Sequence, residues 1–280
     1  MKIITTIGEM RAQVHAWRRE GHTIGLVPTM GDLHEGKASL IKTSARRCDR
    51  TVVSVYGSES PYGERERAQD AAVCEKQGGD VLFCPSAEDL RPGGVQGAWV
   101  ELPGDMVSRL GGGERPGYFR EVCTVTARLF NIVTPDRAFF GEKDAQQLVI
   151  LRRMVRELCY GVEIVSCPVV RAVNGLAVAG RNRSLSAEER KAALCLLTAT
   201  RLGRKMVLEG EQDARVVVNA MRNVIAHEPL ACIDYVEAVD PETLDRVEDV
   251  APGVLFCLAV FIGSVRLTDN FEVRLGENGI

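Results

Sequence analysis

The sequence predicts an α/β protein: a doubly wound parallel sheet followed by a smaller α+β unit. Two observations carry this. Short apolar runs alternate with helical patterns from the N-terminus to about Ser166, the signature of parallel strands joined by right-handed crossovers. After about residue 176 the alternation stops, and two helices are followed by three β-like segments. A chain of 280 residues with 45% hydrophobic content can build such cores without staples.

The elements follow in order. Ile7, Met10, Val14 and Trp17 recur at helical spacing over 7–20. Thr23-Ile-Gly-Leu-Val-Pro28 reads as a buried strand ended by proline. A helix is expected over 35–48, and Thr51-Val-Val-Ser-Val-Tyr56 is a β-branched strand. The charged run Gly63-Glu-Arg-Glu-Arg67 precedes a further helical segment, and Asp80-Val-Leu-Phe-Cys84 is the third strand. A helix over 119–132, a strand over 137–140, a helix over 144–158 and a strand over 162–166 complete the first part. The second part opens with one long helix over 186–208, behind the capping-box candidate Ser186-Ala-Glu-Glu189. A helix over 213–227 and strands near 231–238, 253–261 and 265–270 follow. The turn at Asn174-Gly175 marks the expected boundary, giving domains 1–175 and 176–280.

Composition excludes several classes of function. With 35 Lys+Arg against 38 Asp+Glu the net charge is −3, so neither a nucleic-acid footprint nor a polybasic membrane patch is supported. No apolar run approaches the roughly 20 residues of a membrane span, and no signal peptide is visible. The nine cysteines are scattered, odd in number and without a C-x-x-C pair. They read as buried thiols of a cytoplasmic protein, not as a disulfide framework or a metal site.

Three segments could carry chemistry. Pro28-Thr-Met-Gly-Asp-Leu-His-Glu-Gly-Lys37 leads from a strand into a helix. Gly31 and Gly36 permit close approach of backbone to a ligand, and a helix N-terminus offers free N–H groups to phosphate. His34 and Lys37 lie three apart and can face one side of the first turn. A simple strand-to-helix turn with a solvated histidine explains the same residues equally well. Phe140-Gly-Glu-Lys-Asp-Ala-Gln-Gln147 repeats the strand-to-helix arrangement. Lys143 can place a charge on phosphate, Asp144 can cap the helix or hold a ribose hydroxyl, and Gln147 can hydrogen-bond a polar substrate. A capped helix start would account for Asp144 alone. Leu176-Ala-Val-Ala-Gly-Arg-Asn182 suits a loop that brings Arg181 to a phosphate, although a turn with a surface arginine fits it too.

Together these segments resemble the pantothenate synthetase (pantoate–β-alanine ligase) family of the nucleotidyltransferase superfamily, over nearly the whole chain. The resemblance also rests on Arg115-Pro-Gly-Tyr-Phe-Arg120, Leu129-Phe-Asn-Ile-Val-Thr-Pro-Asp136, Gln146-Gln147, Ile233-Asp-Tyr-Val-Glu-Ala-Val-Asp-Pro-Glu-Thr243 and Arg266-Leu-Thr-Asp-Asn270. It implies a Rossmann-like N-terminal domain, a smaller C-terminal domain closing over it as a lid, and a cytoplasmic homodimer. It implies that ATP and pantoate, with Mg2+, give pantoyl adenylate and pyrophosphate, and that β-alanine then releases AMP. By position, Met30, Gly31, Asp32, Leu33, His34, Glu35, Gly36 and Lys37 would line ATP, with Gly141, Glu142, Lys143, Asp144, Val170, Val178, Ala179, Gly180 and Arg181. Of these, His34, Lys37, Lys143 and Arg181 would be catalytic. Gln147 would bind pantoate. No residue is assigned as a metal ligand.

Several positions depart from the family pattern. The second histidine of H-x-G-H is Lys37, whose ordinary pKa near 10 makes it a poor proton shuttle at pH 7. The segment Phe-Val-Asn-Pro-x-Gln-Phe reads Tyr56-Gly-Ser-Glu-Ser-Pro-Tyr62, so Ser58 replaces an asparagine and Pro61 the glutamine that holds pantoate. The lid sequence that follows is about five residues short, and acidic residues expected for Mg2+ read Ala72-Val73. Ala179-Gly180 replaces a serine pair, and Tyr118 and Glu121 replace a histidine and a glycine. Each lost hydrogen bond to a charged group weakens the site by about 1.5–3 kcal/mol. Three readings follow: a working synthetase with an altered pocket, an adenylate-forming ligase for another small acid, or an impaired nucleotide-binding paralogue.

Overall fold

A computed structural model of the chain describes residues 1–56, 62–93, 97–102 and 104–274. Contacts divide the chain into two compact units. Unit 1 comprises Met1–Pro103, Pro116–Glu142 and Ile150–Pro168; unit 2 comprises Gly104–Arg115, Lys143–Val149 and Val169–Ile280. Compared with a single cut between 175 and 176, the second unit begins earlier and takes in two short stretches from the first half.

Among the described residues of unit 1, six parallel strands form one sheet in the order β1-β4-β3-β2-β5-β6. They are β1 (Lys2–Ile4), β2 (Ile24–Thr29), β3 (Arg50–Val55), β4 (Val81–Phe83), β5 (Arg137–Gly141) and β6 (Glu163–Cys167). The crossovers are α1 (Ile7–Arg19), α2 (Glu35–Arg47), α3 (Glu64–Lys76), the short α4 (Ala87–Leu90), α5 (Tyr118–Val133) and α6 (Ala145–Glu157), whose first turn belongs to unit 2. The doubly wound reading holds. β1 carries too short an apolar signal to be foreseen; its pairing with β4, Ile3 opposite Leu82, makes it a strand. The charged run 63–67 does not precede a helix but opens one: Gly63 caps α3 and Glu64 and Glu66 lie in its first turn, where carboxylates favour the helix dipole.

The central strands are apolar on both faces, as a covered parallel sheet requires. Val27, Leu40, Ile41, Val53, Leu82, Phe139 and Val165 pack into one cluster with Leu33. Chain order reverses between β2 and β5. β2 pairs with β3 to its last residue, Thr29 opposite Val55, and with β5 at Gly25–Arg137 and Leu26–Ala138. Ligands of such sheets bind beyond the carboxyl ends of the strands at this switch in order.

Unit 2 holds an antiparallel sheet in the order β7-β8-β9, from β7 (Ala231–Val239), β8 (Leu255–Ile262) and β9 (Val265–Glu272). Its helices are α7 (Ala187–Ala192), α8 (Leu194–Leu208) and α9 (Ala214–Ala226). The single long helix expected over 186–208 is broken at Ala193. The Ser186 capping box is present: its hydroxyl accepts the Glu189 N–H at 3.1 Å, and Glu189 accepts the Ser186 N–H at 2.8 Å. Leu196, Met221, Phe256, Leu258 and Phe271 centre the core of this unit, with the Phe256 and Phe271 rings stacked at 4.8 Å.

Candidate functional site

In unit 1 the segment 28–37 emerges from the carboxyl end of β2, as its sequence predicts. Gly31 (φ +78°) and Asp32 (φ +53°) both take left-handed backbone, so the chain turns sharply. Such a turn favours glycine at the first position and tolerates an Asp at the second. Thr29 Oγ1 donates to the Ser54 carbonyl at 2.8 Å and accepts the Gly31 N–H at 3.3 Å. The Asp32 carbonyl accepts the His34 N–H at 2.7 Å. His34 is the N-cap residue of α2, with no side-chain cap bond. One turn on, Lys37 Nζ donates to the Gly31 carbonyl; an ammonium carries three donors in all.

Within this segment Met30 is 44% exposed, whereas Leu33 is 6% exposed and packs in the sheet core. Leu33 therefore anchors the turn. Asp32 and Glu35 are exposed, and His34, Gly36 and Lys37 are half-buried. Gly141 and Glu142 lie at the carboxyl end of β5, the strand beside β2. Unit 1 thus gathers the 30–37 turn and the 141–142 pair at neighbouring strand ends. Ser58 and Pro61 lie outside the described residues.

Unit 2 carries the remaining residues singled out from sequence. Lys143 is half-buried and Asp144 exposed, in the 3-10 turn Glu142–Asp144 that leads into α6. Gln147 follows, half-buried. Lys143 Nζ donates to Thr268 Oγ1 at 3.1 Å, and Asn270 Nδ2 donates to the Lys143 carbonyl at 3.0 Å. Val170 and Val178 are joined by a backbone bond of 2.9 Å, closing the hairpin whose end carries Ala179. Ala179 is the N-cap residue of the 3-10 turn Gly180–Ser184, which presents Arg181 at the exposed surface.

Several residues that hold these segments escaped the sequence reading. Along β9 alternate residues point opposite ways: Leu267, Asp269 and Phe271 are buried, while Thr268 and Asn270 reach Lys143. Buried Asp269 is matched by Arg171, whose guanidinium donates to both carboxylate oxygens at 2.7 and 2.9 Å. Such bidentate pairs fix geometry strongly, and this one ties the 170–178 hairpin to β9. Gln146 is buried; its amide donates to the Met106 and Arg109 carbonyls at 3.2 and 2.8 Å and its oxygen accepts the Gly111 N–H at 3.1 Å. The motif Arg266-Leu-Thr-Asp-Asn270 was visible as a pattern; that its alternation serves two segments far away in sequence was not.

Two departures from the expected pattern gain a physical account. Glu121, in the first turn of α5, pairs with Arg91 at 2.7 Å, and the guanidinium groups of Arg91 and Arg120 lie 5.1 and 4.6 Å from the centre of the Trp99 ring. Tyr118 opens α5 after Gly117 (φ +80°) and meets Phe119 edge-to-face at 5.1 Å. Among the described residues no group of three or more His, Cys, Asp or Glu side chains could hold a metal ion.

Comparison with known proteins bears on the same segments. The family profile described as pantoate-beta-alanine ligase matches residues 2–272. The pantothenate synthetase of Ruminiclostridium cellulolyticum is 43% identical over 97% of this chain and 99% of its own. The crystal structure of pantothenate synthetase from Thermus thermophilus is similar with a TM-score of 0.88 at 38% identity, covering 98% of this chain and 100% of that one. The pantoate-beta-alanine ligase of Francisella tularensis, solved with beta-gamma ATP and beta-alanine, is similar with a TM-score of 0.75 at 26% identity, covering 97% of each chain.

Proposed function

The chain belongs to the pantoate–beta-alanine ligase family, the pantothenate synthetases that condense pantoate with β-alanine using ATP, and we propose how its own residues divide that work. The observation that carries the reading is the pair of ligand-suited turns at the carboxyl ends of β2 and β5, where the strand order reverses. The 30–37 turn receives ATP: glycine backbone and the start of α2 face the phosphates, with His34 and the Lys37 ammonium beside them. The nucleotide role extends to Gly141, Glu142, Lys143, Asp144 and Arg181, together with residues 170 and 178–180. Gln147 orients pantoate.

The pantoate carboxylate attacks the α-phosphorus and pyrophosphate leaves. The β-alanine amine then attacks the acyl carbon; the C–N bond forms, the C–O bond to AMP breaks, and the amine gives up a proton to solvent. The cationic groups act by stabilising charge that grows on phosphate oxygens, and the protein by holding reactants in line. Mg2+ bound with the triphosphate would supply further positive charge. The protein works as a cytoplasmic homodimer; the free, mostly buried thiols suit a reducing compartment.

Lys37, Ser58, Pro61, Ala179 and Gly180 lower the rate relative to a chain with the full pattern, because polar groups that would reach substrate are missing. Pro61 also motivates a second reading, a preference for an acid other than pantoate. One assay separates them. With ATP, Mg2+ and pantoate, pyrophosphate release followed by pantothenate on adding β-alanine supports the first reading. Pyrophosphate released only with a different acid supports the second. In the same assay Lys143→Ala is expected to lose adenylate formation by about a hundredfold or more; near-normal release would sink the site assignment.

A further inference from the structure

The turn that leads from β2 into α2 is held by a residue outside every motif discussed so far. Asp70 lies in the middle of α3 and is 4% exposed. Its Oδ1 accepts the Leu33 N–H at 2.8 Å, and its Oδ2 accepts the Tyr62 hydroxyl at 3.0 Å. A buried carboxylate needs donors at both oxygens to offset lost hydration; here one donor is the turn itself and the other is the tyrosine.

The same tyrosine also bounds the turn sterically. A Cβ at Gly31 would lie 2.9 Å from Tyr62 Cε2 and 3.3 Å from Asp70 Oδ2. The ring therefore lies over the left-handed residue on which the turn pivots. The groups facing the Tyr62 hydroxyl are Asp70 and the Cys84 thiol. Burial and the neighbouring carboxylate push the phenol well above its ordinary range, so it stays a neutral donor at physiological pH.

We propose that Tyr62 is a positioning residue for ATP, acting through Asp70 on the Gly31–Leu33 turn. The chain of bonds runs from the Tyr62 hydroxyl to the Asp70 carboxylate to the Leu33 amide. It fixes the Asp32–Leu33 peptide, one peptide before the His34 amide, and hence the direction of the first N–H groups of α2. The ring holds Gly31 in place while the hydroxyl orients the carboxylate. This inference rests on the ATP role given above to the 30–37 turn.

The test compares the full-length wild type, Tyr62→Phe, Asp70→Ala and the double variant by calorimetric ATP binding and steady-state kinetics. Tyr62→Phe keeps the ring and removes only the hydroxyl. Its ATP affinity is expected to fall about threefold to tenfold, the loss of one hydrogen bond to a charged group partly compensated by solvent. The KM for β-alanine and the melting temperature should stay near the wild-type values. Asp70→Ala should weaken ATP binding further, and adding Tyr62→Phe to it should change nothing more, because the hydroxyl then has no carboxylate to orient. ATP affinity within twofold of wild type in Tyr62→Phe overturns the proposal, and so does additivity in the double variant. A uniform loss of melting temperature and of both KM values overturns it as well, since a purely structural role would do that. If Asp70→Ala does not fold, the Tyr62→Phe comparison alone decides. Wild-type protein that does not bind ATP rejects the parent reading and this inference with it; wild type that binds ATP with an unaffected Tyr62→Phe rejects this inference alone.

Discussion

Lys37 shows how a residue can be recognised from sequence while its local contact is not. Its place three residues after His34 was legible, and so was the ammonium it brings to a phosphate-suited turn. That one of its donors goes to the Gly31 carbonyl depends on the left-handed turn that brings the carbonyl back over the first turn of α2. Lys37 therefore acts on the turn itself. Lys37→Met keeps the stem and removes the ammonium, so ATP KM is expected to rise about tenfold or more, as for loss of a charge-assisted contact. Unchanged ATP KM in steady-state kinetics would mean the charge does not face the nucleotide. Lys143 differs: its motif was plain in sequence, but Thr268 and Asn270, which hold it, lie more than a hundred residues away.

At the scale of elements, the sheet of unit 1 was legible because buried parallel strands are continuous β-branched and aromatic runs. Val52 to Val55 and Phe139 to Phe140 needed no tertiary information to be read. The helix over 186–208 was misread because its apolar pattern runs through Ala193 without proline or glycine; the break falls at this residue, which is fully buried in the core of the unit. The crossing of α8 and α9 was equally hidden. A Cβ at Gly203 would sit 2.6 Å from Met221 Sδ and 3.0 Å from Phe271 Cε1, so this glycine permits close helix approach. Gly203→Ala would gain up to about 1 kcal/mol in helix propensity but overpack a core site at a cost of about 1–3 kcal/mol. A lower thermal midpoint is expected; a rise would show that Met221 relaxes freely.

At the scale of the whole molecule, the nine cysteines behave mostly as hydrophobic residues. Cys48, Cys74, Cys84, Cys123, Cys167 and Cys257 are buried, Cys195 is half-buried, and Cys159 and Cys232 are exposed. Burial pushes Cys74, Cys123 and Cys257 up to about 12 and Cys195 up to about 11. An unfolded thiol titrates near 8.5. Between that value and the folded one the unfolded chain has released protons that the native state keeps, so stability falls as pH rises. The contribution is complete below about pH 8.5 and is lost progressively toward pH 12. Urea midpoints measured from pH 8 to 11 should decline, and a flat profile would contradict the burial of these thiols. No described helix is long and apolar enough to cross a membrane, in line with the reading of hydropathy along the chain.

The residues alone determined the class of fold, the order of its strands after β1, the family, and the segments proposed for chemistry. These depend on local periodicity, turn chemistry and short motifs, all of which act over a few residues. Only the tertiary structure decided what holds those segments: Asp70 and Tyr62 on the 31–33 turn, β9 under Lys143, Arg171 on Asp269, and Gln146 on the 106–111 loop. Each is a hydrogen bond between groups distant in sequence, or one between a helix and a turn whose approach depends on packing. The satisfaction of a buried polar group is fixed by what the fold brings beside it, and no local pattern encodes that neighbour.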